Sequence, residues 1–181
     1  MVHVQAAILI EDLNKQLAAP DYELALPTQG AHTMVSLVGA LATCTKGTGM
    51  DFPCLASYVE ELTIILSNGL SKTGNKQENE DLFHNIPCGM GCFGMITSIK
   101  VRCVQLEETT ESAPISKIIE NFSEIVHSAP RVRMWWIPLD GRTCISRISP
   151  TSSTQSASKE HSYTANELPD GQYRSNMLSM C

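Results

Sequence analysis

The sequence is short of basic residues. Its 181 residues include 13 Lys and Arg against 19 Asp and Glu, which gives a formal net charge of -6. A chain without a stripe of Lys and Arg cannot neutralise a run of phosphates, so we expect no nucleic-acid partner. Any phosphate group would have to be bound by backbone amides rather than by a basic cluster.

Long apolar runs and a secretory signal are also missing. A transmembrane helix needs about 20 consecutive apolar residues, and every apolar run here is well below that length. The opening MVHVQAAILIEDLNKQL has no basic region before its short apolar run, and acidic residues follow at once. We therefore predict an intracellular chain that does not span a membrane, with its seven cysteines as reduced thiols.

Conventional catalytic and metal motifs are absent from the sequence. It contains no Gly-x-Ser-x-Gly elbow and no GxxxxGK[ST] phosphate loop. Cys88 and Cys92 are the one close cysteine pair, and no second pair stands at the spacing of a zinc site. The histidines stand in unrelated contexts. We therefore assign no catalytic residue and no metal site.

What the sequence does contain is an alternation of strand and helix patterns over residues 2–148, which indicates an α+β or α/β layer structure. Strand patterns cover residues 2–7 and 58–69, a glycine turn at 88–94 leads into a third strand, and residues 131–148 are typical of a hairpin around Asp140-Gly141. Residues 71–80 are predicted to be a polar surface loop. Apolar residues at helical spacing predict helices over residues 9–19, 33–42, 79–86 and 115–127.

Two of these helices allow more detailed predictions. In the 115–127 helix an apolar stripe is formed by Ile115, Ile118, Ile119, Phe122, Ile125 and Val126. The 79–86 helix is predicted to be capped by Asn79.

Residues 149–181 are rich in Ser and Thr and nearly free of large aliphatic residues, so we expect this tail to be disordered.

The 33–42 helix has two contrasting faces. One is apolar, with Met34, Leu37, Val38 and Leu41 at helical spacing. The other carries small side chains from Ser36, Gly39, Ala40 and Thr43. A face of small residues is explained equally well by tight packing against a strand or by close contact with a flat ligand. The residues alone leave both explanations open.

Two glycine-rich segments follow strand or helix patterns. The first is TCTKGTG at residues 43–49, and the second is GMGCFGMI at residues 89–96. Glycines at such turns let backbone amides approach an anionic or planar ligand. Either segment alone is a weak signal. Their pairing about forty residues apart, with strands between them, is much more informative.

These segments carry a resemblance to a known family. VGALATCTKGTG is similar to the AGAISTGTHGTG of the gulonolactone and arabinonolactone oxidases, and MGCFGMITSIKVRCV is similar to their LGCLGIITEVTLQCV. LASYVEELTIILSNG and RVRMWWIPLDGRT resemble two further motifs in the same order. Over residues 4–148 the chain thus resembles sugar-1,4-lactone oxidases, which are flavoproteins of the vanillyl-alcohol-oxidase type.

The resemblance implies a domain plan. Residues 1–106 would be the second subdomain of a PCMH-type FAD-binding domain, with a mixed sheet flanked by helices. Residues 107–148 would begin the substrate cap domain, and residues 149–181 would be the tail. Members of the family also have a preceding subdomain that wraps the FAD pyrophosphate and a complete cap that supplies catalytic residues. The resemblance therefore implies a partial chain.

The resemblance also implies a cofactor, FAD, and a set of residues that contact it. These are Gly30, Ser36, Gly39, Thr43, Thr45, Lys46, Gly47 and Gly49 around the first glycine-rich segment, and Gly91, Gly94 and Ile96 around the second. The sequence departs from the family at Ala31, Cys44 and Lys46, where the relatives carry Ser, Gly and His.

Two functional hypotheses follow from the resemblance. In the first, the chain is part of an oxidoreductase in which FAD takes a hydride from a sugar-1,4-lactone and passes electrons to dioxygen or another acceptor. In the second, it is a non-catalytic truncated paralogue or an incomplete gene model. Full-length relatives associate with mitochondrial or endoplasmic-reticulum membranes, which allows a peripheral membrane association. We expect the 181 residues alone to bind FAD weakly or not at all and to oxidise no lactone.

Overall fold

A computed structural model describes residues 1–151. They fall into two compact units. The first comprises Met1–Gly47 and Pro53–Val104, and the second comprises Thr48–Phe52 together with residues 105–151. The predicted disorder from residue 152 onward lies outside the described residues. The identification of these units with a flavin domain and a cap stays a prediction.

The first unit is built on a four-stranded antiparallel sheet. Its strands are β1 (Val2–Gln5), β2 (Val59–Ile65), β3 (Ser71–Asn75) and β4 (Met95–Val101), in the spatial order β1-β4-β2-β3. Thr63 pairs with Ser98 and Ile64 pairs with Ile96, so Thr97 is an extra residue in β4. Such a bulge shifts which side chains face the core. It explains why the buried residues of β4 are Ile96, Ile99 and Val101 rather than a strict alternation.

Three α-helices and a 3-10 turn accompany this sheet. They are α1 (Ile10–Leu17), α2 (Leu37–Ala42), the 3-10 turn Leu55–Tyr58, and α3 (Glu80–Asn85). In α1, Ile10, Leu13 and Leu17 recur at helical spacing and are buried. Acidic residues in its first turn and Lys15 in its last turn match the helix dipole.

The core of the first unit is continuous. Its centre consists of large aliphatic side chains from both helices and strands, with less than 2% of their surface exposed: Ile10, Leu37, Leu41, Leu55, Leu62, Ile64, Ile99 and Val101. Burial of apolar surface on this scale is the main term that stabilises the unit.

The second unit has a three-stranded antiparallel sheet and two short helices. They are β5 (Leu106–Pro114), α4 (Ile115–Glu120), α5 (Phe122–Val126), β6 (Arg131–Ile137) and β7 (Arg142–Pro150). The strand order is β5-β7-β6. Gly141 has φ +70, and the Arg142 amide donates to Asp140 Oδ1 at 2.9 Å. The hairpin predicted around Asp140-Gly141 is therefore confirmed.

The α+β class is confirmed, but several details of the sequence interpretation are wrong. The strand pairs in the described residues are antiparallel rather than mixed, and they form two sheets. Residues 71–75 form β3 instead of a loop, since they continue the hairpin that turns at Asn68-Gly69. The strand β5 was not predicted at all. The tail does not begin at residue 149, because Ser149 and Pro150 pair with β5.

The helix predicted over residues 33–42 is shorter than expected. It begins after Ser36, and Met34 lies outside it with 56% of its surface exposed, so Met34 is not part of the buried stripe. Ala40, on the small-residue face, is buried at 4% exposure. Tight packing therefore accounts for part of that face.

The helix predicted over residues 115–127 is broken. Asn121 has φ -114 and ψ 21 and separates α4 from α5. Ile118 and Ile125 are buried as predicted, but Ile119, Phe122 and Val126 are 69%, 54% and 37% exposed. The apolar stripe predicted for this helix therefore contains more residues than the small core of the second unit covers.

The cap predicted for α3 is correct in position and wrong in mechanism. Asn79 occupies the N-cap position, but its backbone is left-handed (φ +49) and its side chain makes no capping hydrogen bond. The Asn79 Nδ2 group instead donates to the Thr73 carbonyl oxygen at 2.7 Å. This hydrogen bond links α3 to β3. The left-handed backbone is possible at this position because asparagine tolerates that region better than most residues.

Candidate cofactor site and thiol triad

Two of the predicted site residues, Ser36 and Thr43, form hydrogen bonds at the two ends of α2. The Ser36 hydroxyl accepts from the Gly39 amide at 3.1 Å, as expected of an N-cap serine. The Thr43 hydroxyl donates to the Gly39 carbonyl at 3.1 Å and lies 3.4 Å from the Thr45 hydroxyl. These hydroxyls therefore have structural partners within the helix and the following loop, while Gly39 and Thr43 remain exposed.

The first glycine-rich segment folds back on residues 28–30. The Gly47 amide donates to the Thr28 hydroxyl at 2.9 Å. A Cβ at Gly47 would lie 2.6 Å from the Gln29 carbonyl oxygen, and a Cβ at Gly30 would lie 3.0 Å from the Thr45 methyl group. Glycine at position 47 is thus required by close backbone packing, whereas a Cβ at Gly30 would press only on a side-chain methyl group.

The second glycine-rich segment is bound to the end of α2. The Cys88 amide donates to the Leu41 carbonyl and the Met90 amide donates to the Ala42 carbonyl, both at 3.2 Å. These two bonds satisfy carbonyls at the helix C-terminus that have no partner within the helix. They also bring together the two glycine-rich segments that the sequence places far apart.

An open cavity of about 210 Å³ lies at this junction. Small and apolar residues from α2, β2, β4 and the second glycine-rich segment surround it: Val38, Ala42, Ile64, Ile86, Gly91, Phe93, Gly94, Met95 and Ile96. None of these lining residues is ionisable. The cavity therefore suits a flat apolar group and offers no acid or base for chemistry.

Glycine geometry shapes the cavity wall at two positions. Gly94 has φ +142, and a Cβ there would lie 2.2 Å from the Ile65 carbonyl oxygen, so only glycine fits. Gly91 has φ +78 and nothing lies within 4 Å of the place where its Cβ would be. A side chain at Gly91 would extend into open space beside the cavity.

The eleven predicted contact residues are thus distributed unevenly. Three of them, Gly91, Gly94 and Ile96, line the cavity. Lys46 is exposed, and Gly49 belongs to the second unit. The others lie along α2 and beside it: Gly30 in the preceding loop, Ser36 at the N-cap, Gly39 in the helix, Thr43 at the C-cap, and Thr45 and Gly47 in the loop that follows. Their role as FAD contacts stays a prediction.

Three cysteines meet beside these segments. We call Cys44, Cys54 and Cys88 the thiol triad; their sulfurs all lie within 4.8 Å of one another. Cys44 Sγ is 2.7 Å from Cys88 Sγ and 3.6 Å from Cys54 Sγ. No sequence pattern predicted this cluster, because its members do not have the short spacings of known metal motifs.

The triad thiols differ in acidity. Burial, followed by the neighbouring Cys44 thiol, raises the pKa of Cys88 to about 12. For Cys54, burial opposes ionisation, but hydrogen bonds from Cys44 and Ser57 and from the Ala56 and Ser57 amides outweigh it. They hold the pKa of Cys54 below its ordinary value.

Comparison with known proteins shows which proteins share this fold. No family model matches the sequence. Over 84% of the chain, the fold matches 35% of Physcomitrella patens BBE-like 1 (TM-score 0.62, 17% identity). It also matches, over 84% of the chain, 36% of 6-hydroxy-D-nicotine oxidase from Arthrobacter nicotinovorans (TM-score 0.60, 14% identity). The fold is therefore that of PCMH-type FAD-binding oxidases, over part of their length.

Sequence relatives narrow this class. The chain is 30% identical to L-gulonolactone oxidase of Bos taurus over 140 residues, which are 76% of this chain and 31% of that protein. It is 30% identical to a putative D-arabinono-1,4-lactone oxidase of Neurospora crassa over 80% of this chain and 26% of that protein. Its homologues are thus sugar-1,4-lactone oxidases, which confirms the resemblance seen in the sequence. The chain spans about a third or less of their length.

Two further findings bear on location. L-galactono-1,4-lactone dehydrogenase of Brassica oleracea, 24% identical over 92% of this chain and 28% of its own length, is named as mitochondrial. Among residues 1–151, no helix has both the length and the apolar character needed to cross a membrane.

Proposed function

We propose that this chain supplies part of the FAD-binding surface of a sugar-1,4-lactone oxidoreductase. The observation that carries the proposal is the junction of the two glycine-rich segments, made by the Cys88 and Met90 amides at the end of α2. The same segments carry the similarity to the lactone oxidases. A function in lactone oxidation accords with the names of the homologues, with dioxygen or another acceptor taking the electrons.

The residues at the junction fit a flavin dinucleotide. The cavity is walled by apolar side chains and by two glycines, which leave room for a ring to approach. Backbone amides of the neighbouring loops can meet phosphate oxygens without basic side chains. FAD, when bound, would supply the hydride-accepting chemistry, and the chain's own residues would hold and orient it.

The cavity alone is too small for the whole cofactor. Sites that hold a ligand tightly have volumes of about 300–1,000 Å³ and bury about 70–90% of the ligand surface. The 210 Å³ cavity is open and below that range. We therefore expect weak FAD binding by the 181-residue chain and no lactone turnover, because its lining residues offer no acid, base or substrate-positioning group.

A pair of matched glycine substitutions tests the site. Gly91 and Gly69 have nearly the same left-handed φ, +78 and +79, and both face open space, but Gly69 lies in the β2–β3 turn. Gly91→Leu should therefore cause the same backbone strain as Gly69→Leu and, in addition, place a bulky side chain at a position that lines the cavity. Flavin fluorescence titration should show FAD affinity reduced at least about tenfold by Gly91→Leu relative to Gly69→Leu. Equal affinities would show that the cavity does not hold FAD.

A chimera tests the catalytic context. The segment of bovine L-gulonolactone oxidase aligned with this chain is replaced by the corresponding residues of this chain, and bound flavin and lactone oxidation are measured. Retained flavin and turnover support the proposal. A folded chimera without flavin would favour the non-catalytic alternative. Turnover of gulono-, galactono- or arabinono-1,4-lactone by the 181 residues themselves, above free flavin, would show that this chain is sufficient.

A further inference from the structure

We propose that the thiol triad is a binding site for a thiophilic d10 metal ion of the Zn²⁺ type. Cys44, Cys54 and Cys88 come from three separate segments, and each offers one sulfur to a common point. The site is distinct from the FAD surface in its chemistry, and the inference does not depend on flavin binding.

The spacing of the sulfurs suits one shared ion. Zn–S bonds of about 2.3 Å in a tetrahedral site place the sulfurs about 3.8 Å apart. The Cys44–Cys54 separation of 3.6 Å is already close to this value, and no separation in the triad exceeds 4.8 Å. The Cys44–Cys88 pair at 2.7 Å needs to open by about an ångström, which changes of side-chain torsion can supply.

The backbone fixes the three cysteines in place. The Cys44 and Cys88 amides both donate to the same carbonyl, that of Leu41, at 3.1 and 3.2 Å. The Leu55 amide, directly after Cys54, donates to the Thr45 carbonyl, directly after Cys44, at 2.9 Å. A site held by hydrogen bonds between backbones loses little freedom when the metal binds.

The surroundings of Cys54 also fit a metal-bound thiolate. The Ser57 hydroxyl lies 3.9 Å from its sulfur, and the Cys44 sulfur lies 3.6 Å from it. Hydrogen bonds to a ligand atom from such neighbours orient it and tune the metal. Cys44 is exposed, and Cys54 and Cys88 are partly exposed. A fourth coordination position would therefore be open to water or an added ligand.

A disulfide between Cys44 and Cys88 is the competing use of these thiols. It would need a sulfur–sulfur bond of about 2.05 Å and would leave Cys54 without a role. Three converging sulfurs favour the ion. Oxidation is accordingly an outcome that the test must detect.

The test measures metal binding by the full chain, purified under reducing conditions and freed of metal. Zn²⁺ is titrated against a chromophoric chelator, and Co²⁺ is used as a spectroscopic substitute whose thiolate charge-transfer band reports sulfur ligation. We expect one ion per chain. Substitution of Cys54 or Cys88 by Ser should weaken Zn²⁺ binding by at least about tenfold and reduce the band. Cys103→Ser, outside the triad, should change neither.

Cys44→Gly removes a ligand without harming the fold. Cys44 has a left-handed φ of +58, which glycine adopts without strain. The variant should therefore be at least as stable as the parent and still lose the ion. Zn²⁺ should also protect the three triad thiols from alkylation, as read by peptide mass spectrometry, while the exposed Cys92 stays reactive.

Three outcomes would overturn the proposal. The first is that neither Zn²⁺ nor Co²⁺ binds. The second is that binding is unchanged by the triad substitutions. The third is that a Cys44–Cys88 disulfide is present even in protein freshly purified under reducing conditions. None of these measurements involves flavin, so they are independent of the outcome of the FAD titration.

Discussion

The two units of this chain are stabilised in different ways. Among residues 1–151, the first has sixteen buried hydrophobic residues in one cluster. The second has three, Ile118, Ile125 and Ile145, and the arginines of its cross-strand ion pairs are less exposed than the basic residues that form ion pairs in the first. Arg133 pairs with Glu108 at 2.8 Å, Arg147 with Glu111 at 2.9 Å, and Arg131 lies 3.7 Å from the centre of the Phe52 ring. Apolar burial dominates the first unit, whereas the second has a smaller apolar core and cross-strand ion pairs whose arginines are less exposed.

The sharpest test of this difference is a cavity in the first core. Leu62 is 1% exposed at the centre of β2. Leu62→Ala should lower the free energy of unfolding by about 2–5 kcal/mol, because a methyl-rich side chain is lost and the core does not collapse fully. Leu70→Ala, at a 57% exposed position, should stay within about 0.5 kcal/mol of the parent.

Urea unfolding, with hydrogen exchange to separate the two units, measures both changes. Similar losses for Leu62→Ala and Leu70→Ala would mean that the first core is loosely packed, and the comparison between units would fail.

A carboxylate in the second unit gives the next largest effect. Glu108 accepts hydrogen bonds from Arg133 and from the Ser146 hydroxyl, and its side chain is only 29% exposed. Glu108→Gln should destabilise the second unit by about 1–2 kcal/mol, since it removes the charge from partly buried hydrogen bonds. Glu107→Gln, an exposed neighbour with the same change in charge, is the control.

Exchange rates of the β5 and β7 amides report this change. If Glu107→Gln has the same effect as Glu108→Gln, net charge rather than the specific contact stabilises the sheet, and polar pairing would not distinguish the units.

The smallest effect is expected at a carboxylate of the first unit. Glu60 accepts from Arg102 Nε at 3.0 Å, but Arg102 is 48% exposed. The hydrogen bond from Arg102 holds the pKa of Glu60 below its ordinary value. A depressed folded-state pKa stabilises above the unfolded pKa of about 4.3, and this stabilisation is lost as pH falls through the folded value.

Glu60→Gln should therefore cost about 0.5–1 kcal/mol near neutral pH, as for other exposed ion pairs, and nothing in strong acid. Urea midpoints of parent and variant across pH measure it. A difference that persists at low pH would mean that Glu60 contributes through packing and not through its charge.

The sequence predicted most of the fold where the apolar pattern was regular and covered. The helix predicted over residues 9–19 corresponds to α1, in which Ile10, Leu13 and Leu17 form the buried face. The prediction of buried residues failed where a regular apolar pattern is not covered by other parts of the unit. Ile119 and Phe122 continue the apolar stripe but lie beyond the small core of the second unit. The sequence pattern also missed β3, whose polar residues carry no period and are positioned by pairing with β2.

The candidate site was predictable only in part for a similar reason. The glycines at 91 and 94 indicated the cavity wall, because glycine is the residue type that readily adopts the positive φ found at both positions. The small-residue face was left with two explanations because a small residue can either pack tightly or leave room for a ligand, and Ala40 packs tightly. The thiol triad could not be found from spacing, since hydrogen bonds between distant backbones bring its cysteines together.

The bonds from Cys88 and Met90 to the end of α2 have a consequence for the order of folding. A helix of six residues is unstable by itself, because nucleation costs more than so few bonds return. Its last two carbonyls accept from amides that come much later in the chain, and the Leu41 carbonyl also accepts from the nearby Cys44 amide. Closing such a long loop is slow. The helix, the cavity and the triad should therefore form together late in folding, so that a ligand arriving early would find no surface to bind.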